Sequence, residues 1–216
     1  TNLNRAATFG RQIRSYPTLL AKRRFWGFAL TIVCNVGAFY VFLVGMPIVG
    51  QASFELSRTE IGLLMALMPL GYMAGNSIVR VMAPRAGIEP LLMTGRLLGV
   101  GSVLLSLGAL SLGVGNAIVI FAPLILIGLA NGLIMPTSTS GAVSINPQLA
   151  GTASGLTGAL GQSIGAALTA IGGAIMTAAP TPGVLLTIML TIAAFGVLPA
   201  LLLRGTASPE PVSAAD

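Results

Sequence analysis

The sequence predicts an all-α integral membrane protein, a bundle of six transmembrane helices. Three observations carry this. Hydrophobic residues make up 55% of the chain and charged residues 7%, and the mean hydropathy is +0.93. Soluble domains carry roughly 25% charged residues, so 216 residues of this composition cannot clothe a globule in polar side chains, and their outer surface must meet lipid. Between Leu97 and Leu203 there is no Asp, Glu, Lys, Arg or His, a stretch long enough for several spans of roughly 20 residues each. The apolar runs are continuous rather than alternating, which selects helices over a barrel.

Apolar length and interruptions place the spans at 25–50, 61–82, 91–113, 117–143, 150–179 and 184–203. Segment 1–24 is read as a cytoplasmic loop and 204–216 as a disordered cytoplasmic tail rich in Ser, Pro and Ala. Gly113-Val114-Gly115-Asn116 separates the third span from the fourth. Asn146-Pro147 separates the fourth from the fifth, and Ala179-Pro180-Thr181-Pro182-Gly183 the fifth from the sixth. Such punctuation stops one helix and starts the next. The chain opens without Met in a polar, basic segment, which reads as the interior of a longer protein. The apolar run after Arg24 is far longer than the h-region of a signal peptide.

The net charge is +6. Its distribution points to a bilayer and not to nucleic acid. Arg5, Arg11, Arg14, Lys22, Arg23 and Arg24 precede the first span, and Arg80, Arg85, Arg96 and Arg204 fall on the same side of the membrane. Of the eleven basic residues, Arg58 alone falls opposite. The positive-inside bias puts both ends in the cytoplasm. Arg96 lies inside the third span, and its side chain is expected to snorkel back to the cytoplasmic headgroups.

Glycines four apart recur as Gly71/Gly75, Gly95/Gly99, Gly128/Gly132, Gly151/Gly155 and Gly161/Gly165. In lipid, small residues at this spacing let backbones approach and drive helix association. Gly128, Gly132, Gly151 and Gly155 are therefore expected at helix contacts. Prolines within spans, among them Pro47 and Pro136, are expected to remove helical bonds and allow kinks.

Enzymatic chemistry lacks its tools. There is no His, Cys34 is the one cysteine, and the five acids, Glu55, Glu60, Glu89, Glu210 and Asp216, stand in loops, span ends or the tail. A metal site or an acid–base pair needs buried titratable groups, so neither enzyme activity, metal nor cofactor is expected. The uncharged polar residues say more. Asn35 shares a face with Phe39 and Phe42, Asn76 follows Tyr72 by one turn, Asn131 lies mid-span in the fourth run and Gln162 in the fifth. A buried amide in lipid must find partners. Each can line a substrate cavity or make an interhelical bond. Gln162, on a face with Gly151, Gly155, Gly158 and Thr169, favours the helix contact; for Asn35 the two readings stand level.

Several patterns occur one after another in order: Lys22-Arg23-Arg24-Phe25-Trp26-Gly27, Gly71-Tyr72-Met73-Ala74-Gly75-Asn76 leading to Arg80, Ala83-Pro84-Arg85-Ala86-Gly87, Gly128-Leu129-Ala130-Asn131-Gly132 with Pro136, and Ala150-Gly151-Thr152-Ala153-Ser154-Gly155. Over about residues 15–205 they resemble the C-terminal half of a major facilitator superfamily transporter, and within it the Bcr/CflA group of drug:proton antiporters. The resemblance implies half of a twelve-helix fold, built from two three-helix inverted repeats, in a bacterial inner membrane. It implies that the first, second, fourth and fifth spans line the cavity. It also places a gating motif at Gly75, Arg80, Arg85 and Gly87. Here the acidic residue of the family pattern is absent and Pro84 precedes Arg85, so the motif is a degenerate copy.

Together the residues and the resemblance lead to an expectation of proton-coupled efflux of small, neutral or amphipathic compounds, with an N-terminal six-helix half as partner. That half must supply the proton-carrying acid, because no span here holds a titratable carboxylate or imidazole. Uptake of a nutrient by another branch of the superfamily, and a non-transporting membrane assembly protein, are the alternatives.

Overall fold

The computed structural model describes residue 17, residues 19–201 and residue 203. The tail at 204–216 and residues 1–16 and 18 of the loop lie outside the described residues. The described residues form helices and contain no strand. Six stretches are long and apolar enough to cross a membrane.

The first span is α1, Arg23–Phe54. It continues through Pro47 and ends where Glu55 turns left-handed, with φ 53°. Helix α2, Arg58–Ala86, opens on a capping box: the Ser57 hydroxyl accepts from the Glu60 amide, and the Glu60 carboxylate accepts from the Ser57 amide at 2.8 Å. This satisfies two amides that a helix start leaves orphaned. Pro84 and Arg85 still lie within α2, which stops at Gly87 with φ 79°, a conformation glycine adopts without a Cβ penalty. Helix α3 is Ile88–Ser111.

The fourth span is broken. Asn116 caps α4, Ala117–Phe121, by accepting from the amides of Ile118 and Val119. A single 3₁₀ turn comes next over Ala122–Leu124, where Pro123 lacks an amide hydrogen, and then α5, Ile125–Ser144. Asn146 starts a second 3₁₀ turn that leads into α6, Ala150–Ala178. Thr181 caps α7, Pro182–Phe195, and after Gly196 the short α8, Val197–Leu201, completes the sixth span.

Helices α2 and α5 pack backbone to backbone. A Cβ built on Gly71 would lie 2.8 Å from the Leu129 nitrogen, and one built on Gly128 would lie 3.0 Å from the Met68 Cα. Gly161 and Gly165 of α6 receive Ile32, Val36 and Tyr40 of α1. Among the described residues, a Cβ on Gly151 or Gly155 would meet nothing within 4 Å. Their spacing gives the expected small stripe, but the stripe turns away from the other helices of this chain. The main core joins Phe42, Met46 and Val49 of α1 to Ile120, Phe121 and Leu124 of the fourth span and Leu185, Leu186 and Met189 of α7. At the other end Phe28, Leu92, Met93, Ala142 and Ala200 form a smaller cluster, beside an ion pair of 2.6 Å between Arg24 and Glu89.

The helices are buried unequally. The most apolar windows of α1 and of the fourth span are each 50% buried, while those of α2 and of the fifth span are each 22% buried. One flank of the bundle, carried by α2 and α6, is therefore open.

Candidate functional site

The open flank leads to a cavity of about 380 Å³ bounded by α1, α2, α5 and α6. Asn35, Val36, Phe39 and Tyr40 come from α1, Met68, Pro69 and Tyr72 from α2, Gly128, Asn131 and Met135 from α5, and Gln162 from α6. The walls are mainly apolar, with two amides at the back. Asn35 is 6% exposed and Asn131 9% exposed, whereas Tyr72 at 38% stands near the open side. Across the mouth the Tyr40 hydroxyl donates to the Gln162 side-chain oxygen at 2.6 Å and ties α1 to α6.

Gly128 and Met68 let α2 and α5 touch backbone to backbone. A larger depression of about 610 Å³ lies among the interhelical turns near Glu55, Glu60 and Asn116. Three of its polar side chains serve the turns around it: Glu60 bonds Ser57, Asn116 bonds two amides of α4, and the Ser53 hydroxyl donates to the Pro180 carbonyl. The smaller cavity is the one where the buried amides Asn35 and Asn131 converge among apolar walls.

Of the residues singled out in the sequence, Asn35, Phe39, Tyr72, Asn131 and Gln162 come together here. Phe42 does not. It lies two turns beyond Asn35 and is 2% exposed in the main core. Asn76 is half-buried one turn beyond Tyr72 and does not line the cavity. Gly75 sits in the α2–α5 contact, while Arg80, Arg85 and Gly87 are exposed at the end of α2. Among the described residues the one ion pair is that of Arg24 with Glu89, and neither Arg80 nor Arg85 joins it. Tyr40, Met68, Pro69 and Met135 escaped the sequence reading. Met68 precedes Tyr72 by four residues and Met135 comes four after Asn131, so helical stride alone would have found both.

Arg96 is corrected. The sequence placed it within snorkelling reach of the cytoplasmic headgroups, yet it is 3% exposed. It points inward, and its guanidinium donates to the Thr31 carbonyl of α1. The space it occupies is left by Gly196: a Cβ there would lie 2.8 Å from the Arg96 Cζ.

No curated protein and no solved structure matches the chain. The model of the Major Facilitator Superfamily matches residues 2–170. With six apolar helices and a polar-backed cavity opening between four of them, the chain belongs to the major facilitator superfamily, a family of multi-pass membrane transporters.

Proposed function

We propose that this chain is the C-terminal half of a proton-coupled exporter of small amphipathic compounds, close in kind to the Bcr/CflA antiporters. The cavity between α1, α2, α5 and α6 carries the reading. Its volume of about 380 Å³ falls within the few-hundred-Å³ range of small-molecule sites, and apolar walls with a few placed amides suit compounds that are part apolar and part polar. Asn35, Tyr72 and Asn131 orient the substrate, and Phe39 contacts its apolar body. Arg80 and Arg85 at the end of α2, with Gly87 between α2 and α3, serve as the cytoplasmic gate.

The open flank supports a partner half. Leu63, Leu70 and Met73 of α2 are more than half exposed, and Gly151 and Gly155 of α6 meet nothing within 4 Å among the described residues. A second six-helix half covering this flank buries those side chains and closes the cavity between the two halves, at the membrane midplane. Coupling to protons needs a titratable group at depth. No carboxylate or imidazole stands between Leu97 and Leu203, so that group belongs to the other half.

The test is drug susceptibility of an efflux-deficient bacterium expressing the full-length protein, with and without a proton uncoupler. Raised tolerance to several unrelated compounds, abolished by the uncoupler, is the expected result. Unchanged tolerance with the protein confirmed in the membrane overturns multidrug export and favours uptake or narrow-specificity transport.

A further inference from the structure

Arg96 is a full positive charge buried where no acidic residue among the described residues pairs with it. It is 3% exposed in the third span, and guanidinium does not deprotonate in proteins. No acidic residue stands between Glu89 and Glu210 in the sequence, and the one ion pair among the described residues belongs to Arg24 and Glu89. Its described hydrogen bond goes to the Thr31 carbonyl. Its Nε is buried with no partner among the described residues, as is the Thr31 hydroxyl.

Arg96 also lines a second, small cavity behind the central one. This chamber of about 20 Å³ lies between α1, α3, α5 and α7, and its polar lining residues are Arg96, Asn35 and Asn131. The same two amides form the back of the central cavity. Asn35 and Asn131 are thus a shared wall, with the cavity on one side and the charge on the other. A chamber of this size holds one water-sized molecule, which needs roughly 10–15 Å³ and two or more polar partners. The two amides and the guanidinium Nε offer that number.

We propose that Arg96 is a charge-selectivity determinant of the central cavity: acting through Asn35, Asn131 and one bridging water, it favours organic anions and disfavours organic cations. The physical reason is the medium. A charge buried among apolar side chains is screened far less than one in water, so its potential reaches across the amide wall. The Thr31 carbonyl orients the guanidinium but is a dipole and cannot cancel a unit charge. Arg96 touches no substrate; it is a positioning residue for charge. The inference rests on the central cavity being a substrate site, and it narrows the cargo within that reading.

The experiment compares tetraphenylborate with tetraphenylphosphonium, ions of nearly equal size and opposite charge. Binding to the purified full-length protein in nanodiscs is monitored by calorimetry, with protein-free nanodiscs as reference. Nile red serves as the neutral probe, and N131W fills the cavity. The expected result is tighter binding of the borate by the wild type. The borate-to-phosphonium affinity ratio should fall at least roughly tenfold in R96Q, because the lost charge acts with opposite sign on the two ions and, at an effective dielectric of about 20, still exerts more than RT over about 10 Å. R96K keeps the charge and should keep most of the ratio. A merely structural role for Arg96 weakens both ions alike and leaves the ratio unmoved. A wild type that prefers the phosphonium overturns the proposal, whether or not R96Q folds. Nile red binding that is lost in N131W, together with equal ratios in wild type and R96Q, overturns the proposal while the cavity reading stands. No saturable binding of any of the three probes overturns both.

Discussion

Gly75 of α2 and Gly132 of α5 touch through their backbones: a Cβ built on either would lie 2.9 Å from the Cα of the other. With Gly71 and Gly128 they form one interlocked seam, two four-residue strides facing each other. In lipid no hydrophobic effect pulls helices together, so this close approach and the dispersion contacts it permits hold the pair.

Substituting the seam should therefore be costly. In G132V the added carbons meet the Tyr72 carbonyl and the Asn76 nitrogen, backbone atoms that cannot swing aside. Overpacking of this kind costs about 1–3 kcal/mol in ordinary cores, and the upper end is expected here. The check is thermal stability of the purified protein by size-exclusion chromatography. G155A, at a position where a Cβ would meet nothing within 4 Å among the described residues, should leave stability within about 0.5 kcal/mol. A G132V protein as stable as wild type contradicts the seam.

Gly196 and Arg96 make a second, longer-range prediction. A Cβ at position 196 would lie 2.8 Å from the Arg96 Cζ and 2.9 Å from the Cys34 Cβ. G196A should lower the melting temperature by several degrees, and R96M should give back much of that loss by vacating the space. The two effects should be non-additive, because the residues share one contact. Simple additivity in the double-mutant cycle removes the claim that Gly196 exists to seat the arginine.

The Arg24–Glu89 pair ties the start of α1 to the start of α3 at 2.6 Å, with side chains 16% and 28% exposed. Such half-wet pairs contribute about 1 kcal/mol or less, and salt weakens them. E89Q is expected to lose that amount in thermal unfolding at low ionic strength and to approach wild type in 1 M salt. An undiminished loss at high salt points to packing instead of charge.

These contrasts separate what local pattern carries from what it cannot. Six helices are legible from apolar run length, because backbone groups in lipid must be satisfied within the segment. Buried amides such as Asn35 and Asn131 stand out in apolar runs because placing them there is costly. Tyr40 and Met68 do not stand out, since large apolar and aromatic side chains are the default of any span. Glycine stride marks a stripe but not its partner: Gly128/Gly132 found α2, whereas Gly151/Gly155 found nothing among the described residues. The fate of Arg96 depends on Gly196, far along the chain in the sixth span, a relation no local pattern contains. Phe42 shares a helical face with Asn35, but Phe121 and Leu124 join its cluster, and their position depends on the break at Pro123.

The Tyr40–Gln162 bond at 2.6 Å is where the cavity and the packing of α1 on α6 meet. Interhelical hydrogen bonds in membrane proteins average roughly 0.6 kcal/mol, and Gln162 is exposed, so Y40F should cost stability by no more than about that. Its effect on transport should be larger in kind. Without the hydroxyl, the Gln162 side-chain oxygen is released at the cavity mouth and becomes an acceptor available to cargo. In drug-susceptibility panels with the full-length protein, Y40F is expected to change the rank order of compounds protected against, while total protein in the membrane stays close to wild type. Q162L removes the same bond but also the released acceptor, so it should weaken protection without reordering it. If both variants shift the panel in the same way, the bond acts only to hold α1 against α6, and Gln162 is a packing residue and not part of the substrate surface.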